Sequence, residues 1–395
     1  MLESLGADIK KIRTINRTVV VNTIRTEGPV SKAKIVRLTG ISIPTVNRVV
    51  EELLREDLVC VVSNQHERGG GRPGELFEFN GKCHFVIGID VALPNMRGMV
   101  ADLTGEIFTE LTEPVERGNG PENYRRLLSI IERLLAETVV EPSKIYGIGL
   151  GVGGVVDSSN GVVLQSKITG WDNFPIVQQL KQDTGLIPYL DSDINLATMG
   201  EHGFGVGQGL TNIACVTLGT RVLCGLVING ELFHSLTFDN GRIDHFIFDQ
   251  DLDSHSVLEE EEGQGAFERL VSSPNVLRMA KNALVDQPNI QAQIQDGKQV
   301  YLAAEKGEPW ALEIIQSIVP PLAVAFANIF SLLNLEMIII SGRLAEESRV
   351  ILPLIKTYIS QKTSRIPCIH SSTLGSRATV LGAVMLGYKG ILHNW

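Results

Sequence analysis

Two stretches far apart in the chain share one pattern, and that pattern restricts the fold more than any other feature. The first begins with the apolar run Phe85-Val86-Ile87-Gly88-Ile89-Asp90, a buried strand. A partner strand follows at Gly98 to Asp102, and Thr104-Gly105-Glu106-Ile107-Phe108 turns into a third. The second begins with a strand at Ile213 to Leu218, turns at Gly219-Thr220, returns at Gly225 to Ile228, and closes a hairpin through Asn229-Gly230-Glu231-Leu232-Phe233. Strand, turn, strand, then Gly-Glu-aliphatic-Phe, written twice, predicts a duplicated unit. A helix at residues 122–137, a strand at 145–150 and the loop Gly151-Val152-Gly153-Gly154 lie between the copies. Alternating strands and helices predict a mixed α/β body with two sheet-centred lobes and a cleft.

The first 80 residues follow a different grammar. Ile12, Ile15, Val19, Val20 and Ile24 recur at helical spacing, and Gly28-Pro29 ends that helix. Ser31 is a good N-cap for residues 32–39, with Ile35, Val36 and Leu38 inward. Gly40 supplies a turn, and Ser42 caps a third helix with Pro44 in its first turn. Val46, Val49, Val50, Leu53 and Leu54 mark the inner face of that helix, leaving Thr45, Asn47 and Arg48 outside near its start. A short helix, a glycine turn and a second helix exposing polar groups at its beginning form a helix-turn-helix, whose second helix enters the major groove. Leu58 to Val62 and Phe77 to Phe79 are β-like and flank Arg68-Gly69-Gly70-Gly71-Arg72-Pro73, a cationic wing tip. An arginine there suits a narrow minor groove. The alternative for this segment is a three-helix interaction module with a solvated basic face.

Charge sharpens this division. Lys and Arg total 35 against 45 Asp and Glu, a net charge of −10 that would oppose nucleic-acid binding over the whole surface. Residues 1–80, however, hold 12 basic and 10 acidic side chains, leaving 23 and 35 for the remainder. Between residues 10 and 48 there are nine basic residues and one acid, Glu27. An acidic body repels the phosphate backbone, so the head is the expected DNA contact.

The five cysteines, Cys60, Cys83, Cys215, Cys224 and Cys368, are odd in number and contain no Cys-x-x-Cys pair. That argues against a disulfide framework or cysteine-rich metal site and fits a reducing, cytoplasmic compartment. No charged-then-apolar leader opens the chain. The most apolar stretch, residues 318–341, is interrupted by Pro320, Pro321, Asn328, Asn334 and Glu336 and reads as a buried helix followed by a strand; no membrane span is expected.

A winged helix-turn-helix followed by this duplicated body resembles the ROK family of repressors, open reading frames and sugar kinases. The resemblance covers essentially the whole chain. It is carried by Gly149-Leu150-Gly151-Val152-Gly153-Gly154-Val155-Val156-Asp157, by Asp191-Ser192-Asp193-Ile194-Asn195-Leu196-Ala197 with Gly200-Glu201, by Asn229-Gly230-Glu231-Leu232, and by Gly382-Ala383. It implies an actin-like, two-lobed fold. The expected division is a winged helix-turn-helix at 1–80, a first lobe at 81–197 to which a C-terminal helix at 377–395 returns, and a second lobe at 198–376.

Family kinases carry a first phosphate loop Asp-x-Gly-Gly-Thr, whose glycines let backbone N–H groups approach phosphate. This chain reads Asp90-Val91-Ala92-Leu93-Pro94. The second loop, Gly-Thr-Gly-Ile-Gly-Gly-Gly in the family, reads Gly219-Thr220-Arg221-Val222-Leu223-Cys224-Gly225, and the Gly-Gly step near the nucleoside reads Ser341-Gly342. With the phosphate-contacting positions lost, no kinase activity is expected.

Asp193 matches the family's catalytic base; without nucleotide its remaining role is to accept a ligand hydroxyl, and the alternative is a helix N-cap. The implied ligand-binding set is Gly153, Gly154, Ser192, Asp193, Arg242, His245 and Glu268. Arg242 stands where the family has glutamate, and either turns preference toward an anionic or phosphorylated sugar, or faces solvent or pairs with Asp244. The family's zinc-binding cysteines are replaced around Glu259-Glu260-Glu261-Glu262, so no structural zinc is expected and His255 reads as a surface residue. No other cofactor is expected.

The expectation is a repressor of carbohydrate-metabolism genes that responds to a sugar or sugar phosphate and binds a palindromic operator as a homodimer or tetramer. Its DNA-binding residues are Lys32, Lys34, Ser42, Thr45, Asn47, Arg48 and Arg72. The alternatives are a sugar kinase with an attached DNA-binding module, and a regulator moved by a protein partner.

Overall fold

The computed structural model describes residues 2–65, 74–235, 241–248, 265–342 and 349–393. The chain starts with helix α1 (Leu2–Glu27), followed by β1 (Val30–Ser31), α2 (Lys32–Thr39), α3 (Ile43–Arg55), β2 (Val59–Gln65) and β3 (Gly74–Phe79). The three strands form a small sheet in the order β1-β3-β2, with β2 and β3 antiparallel on either side of residues 66–73. Local chemistry sets the helix ends. The Ser31 hydroxyl accepts the Lys34 N–H at 3.3 Å, and Gly40 takes the left-handed conformation that ends α2 (φ 69°). Ser42 occupies the N-cap position of α3 in extended backbone, but its hydroxyl bonds Thr45 Oγ1 at 2.9 Å instead of a backbone N–H.

The long first helix corrects the expected inner face. Ile12, Ile15 and Val19 are 58%, 52% and 38% exposed, whereas Arg17, Val20, Val21 and Ile24 are buried. The seam is set by ion pairs as well as apolar spacing: Arg17 reaches Glu56, and Arg13 reaches Glu52 at 2.6 Å, both fastening α1 to the end of α3. Leu38, expected inward, is likewise half exposed on the short α2, where Ile35 alone is fully covered.

The body holds two five-stranded sheets. The first comprises β4 (Phe85–Val91), β5 (Asn95–Asp102), β6 (Ile107–Pro114), β7 (Ile145–Val152) and β11 (Ile187–Ser192); α4 (Gly120–Glu137) precedes β7. Between β7 and β11 lie a three-stranded sheet, β8 (Val155–Asp157), β9 (Val162–Ser166) and β10 (Trp171–Phe174), and helix α5 (Ile176–Thr184). Helix α6 (Asp193–Phe204) leads to the second sheet: β12 (Ile213–Leu218), β13 (Val222–Ile228), β14 (Glu231–Leu232), β15 (Met337–Ser341) and β16 (Ile369–Ser371). Helices α7 (Ala266–Val271), α8 (Ser273–Ala283), α9 (Pro288–Gln291), α10 (Gly297–Glu305) and α11 (Pro309–Leu333) precede β15, and helix Ile351–Ser360 follows it.

The duplication is visible in the pairing. The orders are β11-β7-β4-β5-β6 and β14-β13-β12-β15-β16, and each first strand pairs antiparallel with the second and parallel with the fourth. Asn229 and Gly230, both at positive φ, make the tight turn between β13 and β14. Gly151 and Val152, expected in a loop, instead complete β7 beside Asp90 and Val91.

Helix α11 is long and apolar enough to cross a membrane by length and composition; in the fold its inner face, including Ile315, Leu322 and Phe326, is buried in the core against the second sheet. The C-terminal helix Ala378–His393 packs on the first sheet and on α6. There the backbones nearly touch: a Cβ on Gly382 would fall 1.7 Å from the Leu196 carbonyl oxygen, and one on Gly200 would fall 2.1 Å from that of Ala378. One apolar core runs without a break from Val20, Ile24 and Phe77 of the first segment to Tyr388 and Val384 of this helix.

Candidate functional site

The first candidate site is the outer face of α2 and α3. Lys32 Nζ lies 5.4 Å over the Phe77 ring, and Lys34 Nζ is 3.0 Å from Glu27 at the end of α1. At the start of α3, Ser42 is exposed and joined to Thr45, while Asn47 is partly covered. Arg48 is 53% exposed, with its Nε 4.0 Å from a Glu52 carboxylate that already holds Arg13. The arrangement leaves polar and cationic groups at a helix start over an apolar seam of Val46, Val49, Val50 and Leu53. Arg72 and the rest of the Arg68–Pro73 segment lie outside the described residues, as do Glu259–Glu262 and His255.

The second candidate site surrounds the β11–α6 junction. Ser192 ends β11, and its hydroxyl accepts the Asn195 N–H at 3.4 Å, so Ser192, and not Asp193, is the N-cap of α6. Asp193 is thereby free of the capping role. Its Oδ1 accepts the Ile194 N–H at 2.8 Å, and a Cβ on Gly153 would sit 3.2 Å from Oδ2, so that glycine keeps the β7–β8 turn close to the carboxylate. Gly154, at φ 147°, adopts backbone that an L side chain rarely reaches. Burial raises the Asp193 pKa above the ordinary carboxylate value, while the Arg221 charge opposes that shift.

Facing this group is a cluster from the second sheet. Arg221, in the β12–β13 turn, donates from Nε to Glu268 Oε2 at 3.1 Å and approaches Asp244 Oδ2 at 3.4 Å. Glu268, on α7 and fully buried, also accepts the Val222 N–H at 2.9 Å; burial raises its pKa, while this hydrogen bond and the Arg221 charge pull it back. Arg242 bonds Asp244 from Nε at 2.9 and 3.0 Å and from Nη2 at 2.9 Å, and lies 2.6 Å from His245 Nε2. Of the roles open to Arg242, the pairing with Asp244 is therefore the one the fold makes.

Three members of this neighbourhood were not singled out as ligand contacts from sequence. Arg221 was visible only as a missing glycine. Asp90 was visible only as the start of a degenerate phosphate loop, yet its Oδ1 is buried without a hydrogen-bond partner and its pKa is pushed up to about 7 by burial and by Asp193. His234 pairs with the buried Asp191 at 2.8 Å, and Asn195 Nδ2 holds the other Asp191 oxygen at 2.8 Å. No sequence spacing joins residues that lie 43 positions apart. Among the described residues, no three His, Cys, Asp or Glu side chains are grouped to hold a metal ion.

A duplicated mixed sheet with a carboxylate at the strand-to-helix junction facing a second-sheet turn defines a two-lobed, sugar-kinase-like class of protein. The ROK family model matches residues 86–389, and the chain belongs to the ROK family. It is 25% identical to the xylose repressor of Caldicellulosiruptor bescii, with 96% of this chain and 97% of that protein covered. A glucokinase of Halalkalibacterium halodurans is 26% identical but aligns with only 75% of this chain. Among solved structures, a ROK family transcriptional regulator described as a homologue of the Escherichia coli Mlc protein superposes with TM-score 0.83 at 20% identity, covering 97% of each chain.

Proposed function

We propose that this protein is a sugar-responsive, DNA-binding transcriptional repressor that has lost kinase chemistry. The observation that carries the reading is Arg221. Its guanidinium stands in the turn that in kinases of the family is a glycine-rich phosphate loop, and it is engaged by Glu268 and Asp244. A phosphate group needs open backbone N–H donors there; this chain presents a side chain bonded to buried carboxylates. Full-length similarity to a repressor, against similarity to a glucokinase over three quarters of the chain, supports the same reading.

The division we propose is residues 1–80 for DNA, 81–197 with 377–395 as the first lobe, and 198–376 as the second. Lys32 and Lys34 contact phosphates, while Ser42, Thr45, Asn47 and Arg48 present the start of α3 to base edges. Arg72 completes the contact in the minor groove. The assembly is a homodimer on a palindrome in the cytoplasm.

The effector is held by Asp193 with Ser192, Gly153, Gly154, His245 and Glu268 around it. A neutral sugar fits this site better than a sugar phosphate. Both guanidiniums, Arg221 and Arg242, already have carboxylate partners, and Asp90, Asp193, Asp244 and Glu268 outnumber them. Hydroxyl donors satisfy carboxylates; a phosphate adds repulsion.

The test begins with selection of duplexes from a random library by the full-length protein, which should enrich two inverted half-sites. The selected duplex is then titrated with neutral pentoses and hexoses and with their phosphates. A neutral sugar that shifts the DNA affinity, with no ATP consumption across the same panel, is expected. ATP-dependent sugar phosphorylation would overturn the proposal.

A further inference from the structure

A cavity of about 220 Å³ lies away from the Asp193 site, where α1 meets α6, the β13–β14 hairpin and the C-terminal helix. Its apolar walls include Ile15 and Val19 of α1, Met199 of α6, Val227 and Leu232 of the hairpin, and Met385 of the C-terminal helix. Two of the three exposed α1 side chains that helical spacing expected in the head's core, Ile15 and Val19, line this cavity.

The polar groups in it are not balanced. Arg25 stacks over the Tyr388 ring, its guanidinium carbon 5.8 Å from the centroid, and has no ion pair among the described residues. Its Nε is buried without a hydrogen-bond partner, and so is the hydroxyl of Tyr388, a side chain that is 2% exposed. The other charged groups of the lining account for themselves. Lys389 Nζ pairs with Glu231 at 3.1 Å, and His202 Nε2 bonds the Leu210 carbonyl at 2.9 Å, with burial depressing its charged form. The Arg25 guanidinium is therefore the one charge of this lining without an ion pair among the described residues. A guanidinium without an ion pair on an otherwise apolar wall favours a complementary anion in the cavity.

We infer that this junction is a second ligand site, and that it takes a compact amphiphilic monoanion: an apolar ring or short branched chain bearing one carboxylate. The carboxylate pairs with the Arg25 guanidinium. The apolar body lies among Met199, Met385 and Leu232, where flexible thioethers adapt to its shape. Because the walls come from α1 on one side and both sheet units on the other, occupancy is linked to the position of the DNA-binding head. That regulatory consequence rests on the repressor reading; occupancy itself does not.

The experiment reads occupancy by ¹⁹F NMR line broadening on the full-length protein, with 4-fluorobenzoate as probe and 4-fluorobenzamide as its uncharged counterpart. The benzoate should broaden and the benzamide should bind at least about tenfold more weakly. Arg25→Gln should erase the difference between the two probes. Thr18→Phe, which fills the cavity from a half-covered helix position, should abolish binding of both. Circular dichroism confirms that each variant is folded. Absence of broadening with the wild-type protein, equal binding of the two probes, or benzoate binding that survives Thr18→Phe would overturn the inference. Failure of DNA binding with the probe results intact would count against the repressor reading alone.

Discussion

Replacing Arg221 with alanine tests the Arg221 cluster most directly. The Nε–Glu268 bond spans 3.1 Å; Glu268 is fully buried, and Arg221 is 47% exposed. A hydrogen bond to a charged group contributes about 1.5–3 kcal/mol; discounted for solvent screening of a half-exposed guanidinium, the loss should be about 1–2 kcal/mol. Asp244 adds little to this because Arg242 still holds it through three short contacts. At roughly 2–4 °C per kcal/mol for a unit of this size, the melting transition should fall by about 2–8 °C.

The sign with pH follows from Glu268. Burial has already raised its pKa from 4.5, and Arg221 is one of the groups opposing that shift; removing the arginine raises it further. A carboxyl group with a raised folded pKa contributes stability that is fully present below its unfolded pKa and is lost as pH rises through the folded value. The alanine variant should therefore fall below wild type at neutral pH and converge on it as the pH drops toward the ordinary glutamate range.

Urea unfolding of the wild type, Arg221→Ala, Glu268→Gln and the double variant closes a mutant cycle. The expected coupling is about 1–2 kcal/mol at neutral pH. An Arg221→Ala loss that is just as large in the Glu268→Gln background, or that does not change with pH, would refute the ion-pair reasoning.

Further outcomes follow from the same geometry. Asp193→Asn should leave operator affinity without sugar unchanged and remove the response to sugar, as read by DNA titration with and without the effector. Lys34→Ala should weaken binding evenly across sequences and lower the slope of log affinity against log salt by about 0.9, whereas Arg48→Ala should relax specificity at one base position by about 1–3 kcal/mol. Asp90, with its pKa raised to about 7, contributes stability that is full below its ordinary value and is lost as pH rises through about 7. Asp90→Asn should flatten that decline in unfolding free energy measured from about pH 4 to pH 8. Gly382→Ala places a Cβ 1.7 Å from the Leu196 carbonyl oxygen. The overpacking cost of about 1–3 kcal/mol should outweigh a helix-propensity gain of about 1 kcal/mol, so the melting temperature should fall.

Local chemistry was legible along the chain wherever it depends on near neighbours. Ser31, Gly40 and Gly28-Pro29 mark helix ends through groups within four residues of themselves, and the structure puts the ends there. The strand Ile213–Leu218 and the Asn229-Gly230 turn are where the pattern places them, while the return strand begins at Val222, three residues before the expected Gly225. The duplicated topology was readable because each copy writes its first three strands in one continuous segment.

Faces and partners were less legible. Helical spacing alone put Ile12, Ile15 and Val19 inward, but which stripe of α1 is buried depends on Glu52 and Glu56, 39 residues away, and on the C-terminal helix. The role of Arg242 stayed open in the sequence because Asp244 could equally have faced elsewhere.

The sequence by itself determined the class of this protein: a cationic helix-turn-helix head, a twice-written α/β body, and phosphate loops whose glycines are gone. Those are properties of consecutive residues, and consecutive residues carry them. Tertiary structure alone decided that Arg221 fastens Glu268, that Gly153 is held close to the Asp193 carboxylate, and that Arg25 and Tyr388 meet beneath the head. Each depends on segments tens to hundreds of residues apart being pressed together, and on the burial that gives an unpaired donor or carboxylate its energetic weight.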